Sequence, residues 1–142
     1  MTSSKPFDET HYEADDSAKF VVIEWLRRRG YRAAVNEDRF GVDVIAERCR
    51  EQYHIEVEVK HAWSGLRFPF PTLHYSARKL KFALSDAPTF FFTLNDERSH
   101  ALVVSGHRLL QADIITKNTI YTNGEQFVSI PLAFTRLRSL QQ

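Results

Sequence analysis

Phe40-Gly41-Val42-Asp43-Val44-Ile45-Ala46-Glu47-Arg48-Cys49-Arg50-Glu51-Gln52-Tyr53-His54-Ile55-Glu56-Val57-Glu58-Val59-Lys60 decides how this chain reads. The stretch divides into two strand patterns joined by a polar turn. From His54 to Lys60 residue character alternates strictly. Successive side chains on a strand face opposite ways, so Ile55, Val57 and Val59 share one face and His54, Glu56, Glu58 and Lys60 the other. Same-face neighbours lie about 7 Å apart. Two carboxylates and an ammonium therefore stand in a row. Asp43 lies on the preceding strand, after a glycine and among Val42, Val44 and Ile45. If the strands pair, Asp43 is expected to come level with Glu58. Carboxylates that close repel unless a cation joins them. Two such oxygens beside a lysine suit a hard divalent ion such as magnesium.

Composition narrows the classes. A chain of 142 residues has the length of one domain, expected to span 1–142 and to bury a real core. With 43% hydrophobic and 26% charged residues it reads as a soluble globular protein. No apolar run reaches the roughly 18 residues of a membrane span, so no membrane partner is expected. The first residues lack the apolar core of a signal peptide. The single cysteine, Cys49, cannot form an internal disulfide and fits a reducing cytoplasm. A net charge of +1 gives no argument for nucleic acid by itself, so any such binding must come from local patches.

Along the chain, residues 1–12 are polar and are expected to be flexible. Asp15, Asp16 and Ser17 are cap candidates for a helix whose apolar face is Ala18, Val21, Val22, Trp25 and Leu26. Arg27, Arg28 and Arg29 suit its C-terminal end, and Gly30 ends it. Glu24 is its one central acid, with Arg28 as an ion-pair partner at i+4. Tyr31–Val35, Phe40–Glu47 and Tyr53–Lys60 read as strands. From His61 to His74 runs a long aromatic loop broken by Pro69 and Pro71. Trp63, Arg67, Phe68 and Phe70 either stack on bases and sugars or plug an open end of the sheet. Tyr75–Ser85 reads as a second helix capped by Ser76, with Leu80, Ala83 and Leu84 inward. Its Arg78, Lys79 and Lys81 are either phosphate contacts or a solvated basic face. Thr89–Leu94 reads as a strand buried on both faces and His100–Ser105 as its antiparallel partner. His107–Ile115 is ambiguous between helix and strand. Ile120–Thr122 and Gln126–Ile130 flank the hairpin signal Asn123-Gly124. Leu132–Gln142 is a short helix or a docked tail.

Gly41-Val42-Asp43 followed by Glu58-Val59-Lys60, behind an amphipathic helix ending in Gly30-Tyr31, resembles the PD-(D/E)XK nuclease superfamily. The order of elements is similar to the core of archaeal Holliday-junction resolvases and Mrr-type restriction enzymes, over residues 15–95. The resemblance implies an α/β, restriction-endonuclease-like fold: a mixed sheet flanked by helices. It implies a magnesium-dependent DNA endonuclease, with manganese able to substitute, acting in defence, repair or mobile-element biology. Asp43 and Glu58 would hold the metal with the Val59 backbone carbonyl, and Glu56 is a further ligand candidate. Lys60 would stand beside the attacking water and counter charge in the transition state. The helix after the Glu-x-Lys strand would lie beside the site, bringing Arg78, Lys79 and Lys81 to the DNA, with Trp63 and Arg67 as further contacts. An acid on the first helix can join such sites; here that position falls near Lys19. Two cuts in a duplex need two active sites, so a homodimer is implied. Two other functions fit the same residues. One is a catalytically inactive nuclease-fold module that binds nucleic acid or a protein partner. The other is an immunity-type protein whose acidic face meets a basic partner.

Overall fold

The computed structural model of the chain describes residues 9–118 and 123–142. Helix α1 spans Glu9–Arg28. Of the segment expected to be flexible, residues 9–12 belong to this helix and 1–8 lie outside the described residues. Gly30 ends it at φ 89°, a left-handed conformation that glycine adopts without a Cβ clash. The Tyr31 amide then donates back to the Leu26 carbonyl at 3.1 Å, closing the last turn.

The main sheet holds β1 (Arg32–Val35), β2 (Val44–Arg48), β3 (Glu51–Val59), β5 (Thr89–Leu94), β6 (His100–Ser105) and β9 (Arg136–Ser139), in the order β1-β2-β3-β5-β6-β9. Only β3 and β5 run parallel; the other neighbours are antiparallel. A second sheet of β4 (Thr72–Ser76), β8 (Glu125–Pro131) and β7 (Asp113–Lys117) packs across it. A 3-10 turn at Ala77–Lys79, α2 (Leu80–Ala83) and α3 (Gly106–Gln111) complete that layer.

Alternation sorts the core. On one face Val22, Trp25 and Leu26 of α1 pack on Val44, Ile55, Val57 and Phe92. On the other, Phe91, Leu102 and Val104 pack on Leu73, Tyr75, Val128 and Ile130 of the second sheet. Strand β5 thus supplies Phe91 to one core and Phe92 to the other, as its unbroken apolar run requires.

Several expectations are corrected. Thr72–Ser76 is a strand, so the loop after β3 is shorter than read and no helix starts at Tyr75. Leu73 and Tyr75 alternate inward there, a period of two. The helix that follows is one turn long, and Leu84 is exposed rather than inward. His107–Ile115 contains both α3 and the start of β7. The Asn123-Gly124 hairpin joins β7 to β8, with residues 119–122 outside the described residues. Of the two readings of Leu132–Gln142 the docked tail holds: after a 3-10 turn at Leu132–Phe134 it adds β9 to the main sheet.

Candidate acidic site and comparison with known structures

The turn between β2 and β3 is two residues long. Cys49 and Arg50 carry φ values of 53° and 64°, and Arg48 pairs directly with Glu51. This is the tight hairpin whose twist suits flanking strands. It fixes the register at Val44 opposite Ile55, so the next step brings Asp43 beside Glu56. The expected level pairing of Asp43 with Glu58 needs a turn two residues longer, and is corrected to Asp43 with Glu56.

Glu56 is 3% exposed, on the face covered by the second sheet. Burial first, then a hydrogen bond with the Asp43 carboxyl, raises its pKa to about 8, and the Lys79 ammonium partly opposes this. Burial and the neighbouring carboxyl thus favour the protonated form of Glu56, and the Lys79 ammonium favours the charged one. Lys79 Nζ lies 3.1 Å from Glu56 Oε1. Asp43 Oδ2 accepts the Val57 amide at 2.8 Å, and its Oδ1 lies 3.5 Å from Lys19 Nζ on α1. The helix position where an acid was considered thus presents a cation, which also reaches Asp16 at 3.8 Å. Glu24 stays on the surface, paired with Arg27 at 3.5 Å rather than with Arg28.

Glu58 follows on the same face, half-buried, and its charge bears on Tyr75 and Lys79. Tyr75 is buried, with its phenol pKa well above the usual value because of burial and then the nearby carboxylate; its hydroxyl meets that of Thr93. Val59 ends β3 and pairs with Leu94, its side chain against the α1 core. Lys60 stands past the strand end, its Nζ 5.0 Å from the centre of the Phe70 ring. Among the described residues the ion pairs of Asp43 and Glu56 are with Lys19 and Lys79, not with Lys60.

The expected nucleic-acid contacts separate. Lys79 points to Glu56 instead of joining a solvated basic face. Arg78 is exposed, 3.6 Å from Glu125. Lys81 is exposed over the Phe82 ring at 5.0 Å. Arg67 is exposed. Trp63 is corrected: it is fully buried, edge-on to Phe68, and cannot stack on a base. It takes the plug role. Lys19 and Lys79 are the residues that sequence reasoning did not bring to the acids. The turn length was the missing signal for Glu56, and the approach of a helix side chain is not encoded in spacing at all.

The donor chemistry fits a divalent cation. Asp43 and Glu56 offer hard carboxylate oxygens of the kind such an ion takes. Lys19 and Lys79 occupy the same oxygens and would compete with it. Among the described residues no three His, Cys, Asp or Glu side chains gather into one metal-holding group. No helix among them is long and apolar enough to cross a membrane.

No family model matches the chain, and no curated protein matches it. Among solved structures it is similar to Hjc of Archaeoglobus fulgidus, a Holliday junction resolvase from an archaeal hyperthermophile. The TM-score is 0.53 at 12% identity, over 81% of this chain and 83% of that one. This chain therefore has the mixed, helix-flanked sheet of a resolvase or restriction-endonuclease-like fold.

Proposed function

We propose that this protein hydrolyses phosphodiester bonds in DNA at the acidic row of β3, with a divalent metal held by Asp43 and Glu56. The observation that carries the reading is the pair itself. Two carboxyls stand level on neighbouring strands of a resolvase-like sheet, one of them buried, with its pKa raised by that burial and by the other. A buried carboxyl without a function is costly to keep. When bound, a cation such as magnesium or manganese would neutralise charge growing on the phosphate. Asp43, oriented by the Val57 amide, and Glu56 would hold it. Lys79, 3.1 Å from Glu56, would counter negative charge on the reacting phosphate. Glu58 and Lys60 follow on the same face and form the alternative catalytic set with Asp43, with the Val59 carbonyl as a further ligand.

Cleavage of plasmid and branched DNA with magnesium or manganese tests the proposal and separates the two sets. Glu56→Gln and Lys79→Ala are expected to lose at least about a hundredfold in rate, the scale of removing one transition-state stabiliser. Losses confined to Glu58→Gln and Lys60→Ala would move the chemistry one step along β3. Calorimetry in two buffers should also find that metal binding at neutral pH releases a proton, since Glu56 must give one up.

A second reading has its own support. Lys19 and Lys79 already occupy oxygens of the pair, which favours a nuclease-fold module that binds nucleic acid or a partner without cutting. Wild-type protein that takes up no metal and cleaves nothing would select it.

A further inference from the structure

A groove of about 820 Å³ lies on the opposite face of the main sheet, where α1 leaves the strands uncovered. Its floor follows from the strand register. Ile55 of β3, Phe90 of β5 and Ser105 of β6 stand in one row, and Phe92, Val103 and Arg136 in the next. Tyr31, Tyr53 and Phe134 extend the aromatic surface and are only half-buried.

Five arginines line this groove: Arg29, Arg48, Arg108, Arg136 and Arg138. All are exposed, and no acidic residue lines the groove with them. Among the described residues none of the five forms an ion pair; the acid beside the rim is Glu51, which takes the Tyr53 hydroxyl at 3.0 Å. Three are set by rings. Arg29 lies 4.0 Å from the centre of Trp25, Arg108 4.6 Å from Phe134 and Arg48 5.2 Å from Tyr31. A guanidinium stacked on a ring presents its N–H edge outward, in the fork geometry that suits a phosphate.

We infer that this groove binds a short single strand of nucleic acid, its bases against the aromatic floor and its phosphates on the arginine rim. Charge complementarity carries the choice of occupant. In a chain of net charge +1, five guanidinium groups surround flat apolar surface without an ion pair among the described residues, although Arg29 donates to the Gln142 carbonyl at 2.8 Å and Arg108 to Gln111 at 3.3 Å; a single strand offers both a repeated anion and exposed base faces. A cavity this size takes about the bulk of a drug-sized ligand, so only a few nucleotides are seated. The inference is independent of the acidic row. Ile55 floors the groove while Glu56, the next residue, points to the other face.

Fluorescence anisotropy with a labelled oligodeoxythymidylate tests it, in chelator and on Glu56→Gln protein so that cleavage plays no part. Arg136→Ala with Arg138→Ala should weaken binding at least about tenfold and lower the log–log salt slope by about 1.4, since each single-strand phosphate contributes about 0.7. Tyr53→Leu with Phe90→Leu should weaken binding at least about fivefold and leave the slope unchanged, because stacking releases no counterions. Circular dichroism and thermal melting identify any variant that fails to fold; Arg48→Ala, at another part of the rim, then replaces it. Wild-type protein that does not bind the oligonucleotide overturns the inference, as does binding that neither pair of changes alters. Equal competition by a polyglutamate peptide would assign the groove to an acidic protein segment instead. A sedimenting dimer that dissociates in the arginine variant would make this face an interface between copies.

Discussion

Glu56 is a carboxyl group placed where its charge is disfavoured: 3% exposed, beside Asp43, and relieved by Lys79. Its pKa of about 8 in the folded protein exceeds the ordinary 4.5. The folded state therefore holds this proton more tightly than the unfolded chain does. The stability it contributes is fully present below the unfolded pKa and is lost as pH rises through the folded one. Glu56→Gln keeps the shape and a donor for Asp43 but never ionises. The variant is expected to gain on the wild type between about pH 5 and about pH 8.5, by an order of magnitude of a few kcal/mol. Urea unfolding at both ends of that window measures the difference. Parallel pH profiles would mean that Glu56 is ionised in the folded protein across the range. That Glu56 faces the acid side was legible from its alternation with Ile55 and Val57. Its partner was not, because a partner depends on a turn length that no residue in Cys49-Arg50 announces; Asn-Gly or Asp-Gly would have.

At the scale of elements, legibility followed length and pattern. The amphipathic α1, terminated by Gly30, and the apolar β5 carry strong periodicities and were read correctly in kind. The four residues of β9 and the five of β4 carry little pattern, and Pro71 just before β4 reads as loop. What holds such short pieces is tertiary, and Asn95 is an instance. It is fully buried in the turn after β5. Its Nδ2 donates to the Gly65 carbonyl at 2.8 Å and to Ser99 Oγ at 3.0 Å. Its Oδ1 accepts the Ser99 amide at 2.9 Å and the His100 amide at 3.1 Å. One side chain thus closes the β5–β6 turn and ties the loop after Lys60 to it. Asn95→Ala leaves these groups without partners in a buried place and is expected to cost about 2–3 kcal/mol. Equilibrium unfolding checks this; a loss of only a few tenths would mean that water or Glu97, which already takes the Gly65 amide at 2.9 Å, replaces it.

The whole molecule divides its charge across one sheet. The face under the second sheet holds the Asp43–Glu56 pair and Lys79, with Lys19 reaching Asp43 from α1; the face beside α1 holds the arginine-rimmed groove. Consecutive residues of β3 serve the two, Ile55 to the groove and Glu56 to the acids. Direct coupling across the sheet is expected to be weak, since packed layers stand about 10 Å apart and salt near physiological strength screens over about 8 Å. The two faces should therefore respond separately. Glu56→Gln is expected to abolish metal uptake and to leave oligonucleotide binding in chelator within about twofold, because ΔΔG values of sites sharing no partner add to within about 0.5 kcal/mol. Arg136→Ala with Arg138→Ala should do the reverse, with metal affinity unchanged and strand binding weakened. Calorimetric metal titration and anisotropy on the same three proteins give both readouts. Crossed effects of about tenfold or more would mean that one ligand spans the sheet edge and touches both faces. The groove would then belong to the same substrate path as the acidic row, and its arginines would affect cleavage as well as binding.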